Sequence, residues 1–168
     1  WLAPLSGEGP ERLMAALTAR ALMPAEQQEQ LLARAGGNPL YAEQFADLYA
    51  ERGSTEELPL PETLQGIIAA RIDGLPQAEK ELLRDASVIG KVFWQSAIDG
   101  GGETGMILHS LERKGFVRRQ RRSSLDGESE FAFAHALVRD VAYGQLARAD
   151  RAEKHRGAAA WIESLGRS

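Results

Sequence analysis

Glycine and proline cut most of this chain into pieces no longer than a short helix, and that punctuation limits what it can build. Pro24, Gly36-Gly37, Pro61, Gly74-Leu75-Pro76, Gly90, Gly100-Gly101-Gly102 and Gly115 follow one another along the chain. Proline removes a backbone donor and glycine frees the backbone, so each of these positions favours the end of a helix. Between the breaks, apolar residues return every three or four positions, which is the period of an amphipathic helix. The expected fold class is therefore mainly α: short helices joined by short connections, as in small bundles.

The first half reads as four helices. Leu13, Leu17 and Ala21 share a face after Pro10-Glu11, and Pro24 ends that segment. A second helix is expected over Ala25–Ala35, with Leu31, Leu32 and Ala35 inward and Gly36-Gly37 as its stop. Asn38 then caps a third helix, with Pro39 at the first helical position, where the missing N–H has no partner to lose. Leu40, Tyr41, Phe45, Leu48 and Tyr49 form its buried stripe. Arg52–Pro61 is a linker rich in Gly, Ser, Glu and Pro. A fourth helix carries Leu64, Ile67, Ile68, Arg71 and Ile72 at helical spacing.

The second half has a different rhythm. A helix is expected from about Ala78 to Ile89, on Leu82, Leu83 and Ala86, and Gly90 ends it. Phe93, Trp94, Ala97 and Ile98 suggest a short helix after it. Thr104–Lys114 is the next, with Ile107, Leu108 and Leu111 inward and Gly115 as its stop. Phe116-Val117 and Phe131–Phe133 read as two strands joined across Asp126-Gly127. Three helices followed by a two-stranded hairpin is the order of a winged helix. His135–Leu146 and Arg151–Leu165 are two further helices.

Composition narrows the chemistry. Of 168 residues, 43% are hydrophobic and 26% charged, too apolar for a disordered acidic chain. No run of eighteen apolar residues offers a membrane span. Cys is absent, which excludes disulfides and thiolate metal sites and fits a reducing, cytoplasmic setting. There is no GxxxxGK[ST] loop, for Gly90-Lys91 runs into Val92, and no HExxH or GxSxG. His109, His135 and His155 fall on separate expected helices. The chain therefore does not read as an enzyme by itself. Its opening at Trp1, without Met, reads as a cut from something longer. Although the net charge is -4, Arg113, Lys114, Arg118, Arg119, Arg121 and Arg122 lie within ten positions. Such a run is either a solvated turn or a patch that attracts phosphate or an acidic protein.

Three segments carry a resemblance. They are Ala35–Glu43 (AGGNPLYAE), then LPETL at 60–64 with ARIDGL at 70–75 and ASVIGKVF at 86–93, and finally FAFAHALVRDVAY at 131–143 with Arg151, His155 and Ala159. Together and in this order they resemble the region that follows the P-loop domain in STAND-class AAA-like ATPases. They are most similar to bacterial predicted ATPases attached to nucleotide cyclase domains or to LuxR-type DNA-binding regulators. The resemblance implies the end of a last P-loop strand at 1–6, a helical lid at 7–74, a winged helix at 75–134, and the start of a helical repeat region at 135–168.

The resemblance also implies ligands and partners. ATP or ADP with Mg would be held by a P-loop domain outside this chain, which itself would hold no nucleotide tightly. Gly37-Asn38-Pro39 resembles the lid segment that lies against adenine, with Pro39 as the contact beside free amides of a helix start. An ordinary Asn cap with Pro after it is the alternative. His135 resembles the phosphate-contacting histidine of a Met-His-Asp motif, although Ala134 and Ala136 replace its neighbours. A helix-capping or core histidine is the alternative there. The implied partners are the P-loop and effector domains of the same protein, with self-assembly possible for the class. Two competing readings stand beside this one: a DNA-binding winged helix using Thr104–Glu112 and the arginines, and a helical interaction scaffold. Against the first, Thr104–Glu112 offers few groups suited to base edges.

Overall fold

In a computed structural model of the chain, residues 24–35, 38–52, 63–98 and 102–166 are described. The expected strand end at Trp1–Leu5, the helix after Pro10, most of the Arg52–Pro61 linker, and Gly37 lie outside them. The helices are α1 (Ala25–Ala35), α2 (Pro39–Arg52), α3 (Leu64–Asp73), α4 (Gln77–Ile89), α5 (Thr104–Arg113), α6 (Ala136–Gly144) and α7 (Arg148–Leu165). Three short strands complete the order: β1 (Val92–Trp94), β2 (Val117–Arg119) and β3 (Glu130–Phe133). The architecture is mainly α with a small antiparallel sheet. No helix among the described residues is long and apolar enough to cross a membrane.

The chain divides into two compact units, Trp1–Arg71 and Ile72–Ser168, with the division in the last turn of α3. In the first unit, Leu31 and Ala35 of α1, Tyr41, Ala42, Phe45, Ala46, Leu48 and Tyr49 of α2, and Ile67 of α3 form one buried cluster. Two of these helices begin on side-chain caps. Thr63 Oγ1 accepts the Gly66 N–H at 3.0 Å to start α3, and Asn38 does the same work for α2.

In the second unit α4 is central and packs against α5, α6, α7 and β1. Its apolar residues Leu82, Leu83, Ala86 and Val88 are buried. Helix α5 ends as Gly115 predicts: that residue takes φ 83°, a left-handed backbone in which a Cβ would be strained. The Phe116 N–H then reaches Leu111 O at 3.0 Å and the Gly115 N–H reaches Glu112 O at 3.1 Å, while both Phe116 and Leu111 are buried. This closure aims the chain into β2.

The sheet order is β1-β3-β2, antiparallel throughout. Here the sequence expectation needs correction. Phe93–Ile98 is not a helix: Val92–Trp94 is a strand and Gln95–Ala97 a single 3-10 turn. The apolar pairs 93/97 and 94/98 imitate a helical face, but Val92, Phe93 and Trp94 are β-branched or aromatic and find a partner strand. Phe93 pairs across to Phe131, and its ring stacks on Phe131 and tilts against Phe133 at 6.0 and 5.5 Å. The expected two-stranded hairpin is thus a three-stranded sheet. Helices α6 and α7, read from sequence as the root of a further region, pack on α4 within the same unit.

Candidate functional site

Asn38 and Pro39 stand at the start of α2 in the first unit. Asn38 Oδ1 accepts the N–H groups of Leu40 at 3.0 Å and Tyr41 at 3.4 Å, and its carbonyl accepts the Ala42 N–H at 3.2 Å. Pro39 has no N–H. The first-turn amides expected to be free for a phosphate are therefore already engaged by Asn38. What the segment presents is the half-buried ring of Pro39 beside an exposed Asn38. Such an edge suits an aromatic base better than an anion.

His135 occupies the N-cap position of α6 in the second unit, with extended backbone at φ -140° and ψ 143°. Its carbonyl accepts the Val138 N–H at 3.1 Å, and its ring makes no capping bond to the helix. The residue is half-buried. The preceding Ala134 N–H is bound to Phe116 O at 2.9 Å, which anchors the histidine at the exit of β3. His109 is exposed on α5, and His155 Nε2 shares a hydrogen bond with the Tyr143 hydroxyl at 3.0 Å. Among the described residues, no group of three or more His, Asp or Glu is placed to hold a metal ion.

The basic run is divided by the fold. Lys114 turns to Glu79, with Nζ 2.7 Å from Oε2, while Ser110 Oγ donates to Glu79 Oε1 at 2.6 Å. Glu79 is buried, so this trio is a structural tie between α4 and α5. The Arg119 guanidinium donates to Ser129 Oγ at 3.3 Å and its backbone N–H to Glu112 Oε1 at 3.2 Å, which fastens the edge strand. Arg113, Arg118, Arg121 and Arg122 are exposed and remain the candidates for an outside partner.

Sequence reasoning missed three polar centres. Arg71 is fully buried in the first unit; it contacts Gln44, pairs with Glu51 at 2.9 Å and lies 3.7 Å from Asp47. The available signal was a cation in the middle of the Ile67-Ile68-Ile72 stripe, with Gln44, Asp47 and Glu51 on successive turns of α2. Glu130 accepts from the Ser124 N–H and hydroxyl, both at 2.6 Å, and from Trp94 Nε1 at 3.1 Å. The Ser124 N–H and hydroxyl hold its carboxyl below the ordinary 4.5, against a smaller opposing effect of burial. The third is Tyr143, whose ring lies under the guanidinium groups of Arg139 and Arg151 at 4.9 and 4.6 Å. The Glu130 centre has no spacing signature, because Trp94 reaches it only through sheet pairing; in the Tyr143 centre Arg139 stands four positions before Tyr143 on α6, a legible helical spacing, and only Arg151 arrives by helix packing.

Comparison with protein-family models, with curated proteins and with solved structures returns no match for the chain.

Proposed function

We propose that this chain is the switch region of a signal-transduction ATPase, coupling the ADP or ATP state of a P-loop domain elsewhere in the protein to an effector domain. The observation that carries the reading is the order α4, β1, 3-10 turn, α5, β2–β3, with β1 lying along β3. We read that order as a winged helix, preceded by a helical unit as the lid precedes the winged helix in STAND proteins. The three sequence segments that resemble that class support the same reading.

In this proposal the chain's own residues bind and report. The Pro39 ring offers an apolar edge to the adenine, and the amides behind it stay with Asn38. The His135 imidazole donates an N–H to a phosphate oxygen of ADP, which ties the second unit to the nucleotide. Mg and the P-loop residues supply the charge stabilisation for hydrolysis outside this chain. With ADP the lid and winged helix are held; with ATP they are released and the effector responds, a two-state element biased by its ligand.

The test is ADP retention in a protein that carries the P-loop domain. His135→Ala should weaken it about 10-fold, the worth of a charge-assisted hydrogen bond. Unchanged retention would remove His135 from the site. The 168-residue chain alone should show no saturable ADP binding by calorimetry, and tight binding would overturn the domain assignment.

A second reading rests on the exposed residues of α5 and the hairpin. Met106, His109 and Arg113 face out from α5, and Arg118, Arg121 and Arg122 are exposed beside it. A helix and wing of this kind could engage duplex DNA. A gel shift at low salt, lost in an Arg118→Ala/Arg121→Ala/Arg122→Ala chain, would favour this reading. No shift at low salt would exclude it.

A further inference from the structure

Helix α7 differs from the other α-helices among the described residues: none of its eighteen residues is buried. A helix normally holds its place by burying an apolar stripe. The contacts of α7 are of another kind. Lys154 pairs with Asp85 of α4, and both side chains are about one-third exposed. His155 shares its hydrogen bond with Tyr143, and Arg151 lies over the Tyr143 ring and donates to Gly144 O at 3.4 Å. Trp161 Nε1 donates to Ser96 Oγ at 3.1 Å, and the Trp161 ring stacks on Trp94 at 5.5 Å.

The backbones of α4 and α7 run close together between these points, but no α7 side chain is buried there. An open cleft of about 340 Å³ lies on one side of the Asp85–Lys154 pair, lined by Glu81, Arg84 and Glu153. Another of about 280 Å³ lies on the other side, lined by Ile89, Ile98 and Ala158. Two guanidinium nitrogens on these helices, Arg84 Nε of α4 and Arg151 Nε of α7, are buried without a partner in the protein, a cost carried by the docked position of α7. By contrast, the opposite faces of α4 close tightly through Leu82, Leu83, Ala86 and Val88.

We infer that α7 is a detachable strap. It is latched at Asp85–Lys154 and at Trp94–Trp161, and it lifts as one element while α4, α5, α6 and the sheet stay folded. The pivot is the short connection after Leu146, which is itself buried and stays with the core. Lifting bares the half-buried Asp85 and Ile89 of α4, one turn apart, together with Ile98. Sub-global opening of this kind follows from few buried apolar contacts in one element and many in its neighbours. The inference does not depend on the nucleotide reading.

Amide hydrogen exchange on the whole chain tests it. Amides of Arg148–Leu165 should exchange ~100-fold faster than those of Leu82–Val88. Asp85→Asn should speed α7 by a further ~2- to 5-fold, and Trp161→Ala by ~10-fold, with β3 and α4 unmoved. Exchange of α7 at the rate of α4, or equal acceleration of both by Asp85→Asn, would overturn the inference. Fraying in place is separated from lifting by a tether. The chain has no cysteine, so Asp85→Cys/Lys154→Cys joined by a short bismaleimide bridges α4 and α7 alone. Bridging should slow exchange in α7 by ~10-fold or more if the helix lifts; no slowing would overturn the strap.

Discussion

Among the described residues each unit buries one charged side chain, and the two hold it differently. In the first unit Arg71 has no exposed side-chain surface and is satisfied by Gln44, Asp47 and Glu51 from one helix. In the second, Glu79 is buried but its partner Lys114 keeps 35% of its side chain exposed, with Ser110 as a second donor. Each ion leans on one partner that keeps about a third of its side chain exposed, Glu51 at 34% and Lys114 at 35%, so the contrast lies in the number of partners: Arg71 engages three side chains and Glu79 two. The first unit therefore depends on its ion more than the second does.

Removing each ion is the sharpest way to break that contrast. Arg71→Met should cost about 3–5 kcal/mol, because it leaves the buried Gln44 and the largely buried Asp47 facing a thioether in place of a guanidinium. Urea unfolding followed by circular dichroism would show it, and a loss below about 1 kcal/mol would mean that Arg71 is hydrated in solution. Glu79→Ala should cost about 1–3 kcal/mol, since Lys114 can turn to solvent and only the Ser110 bond and some burial are lost. If the second loss exceeds the first, the comparison is reversed.

Helix starts extend the contrast at smaller scale. Asn38 caps α2 through its side chain, whereas the His135 ring does not cap α6. Asn38→Ala should cost about 1 kcal/mol in the same experiment, and Asn38→Gly only a few tenths. His135→Ala removes no cap and should cost less than Asn38→Ala. An equal loss at both positions would assign His135 a structural role that its backbone geometry does not require.

The smallest effect concerns acid. The Glu130 carboxyl is held below its ordinary 4.5 in the folded chain by Ser124. A depressed folded value contributes stability above the unfolded value, and that contribution fades as pH falls below 4.5 through the folded value. Glu130→Gln should therefore flatten the acid limb of the Tm-against-pH curve below about pH 4.5 and change little at neutral pH. The same acid limb in both proteins would show that the Ser124 contacts open in solution.

Much of the local structure was legible because its causes are local. The glycine and proline breaks place most helix ends, Asn38-Pro39 announces a capped helix, and Gly115 announces a left-handed closure. Phe93-Trp94 was not legible, because a three-residue apolar run satisfies helix and strand periods alike and only the neighbouring β3 decides between them. The basic run from Arg113 to Arg122 looked uniform in sequence. The fold spends Lys114 on Glu79 and Arg119 on Ser129, and leaves the others to solvent.

Period, caps and breaks thus settle where most of the described helices lie and which way their apolar faces turn, since those depend on residues within a turn or two of each other. Tertiary structure alone decides which charges are buried and which helices meet. Arg71 meets Gln44, Asp47 and Glu51 across 20 to 27 positions, and Lys154 meets Asp85 across 69. A charge inside a protein is stable only where distant segments bring it partners, and no local pattern records which segments will arrive.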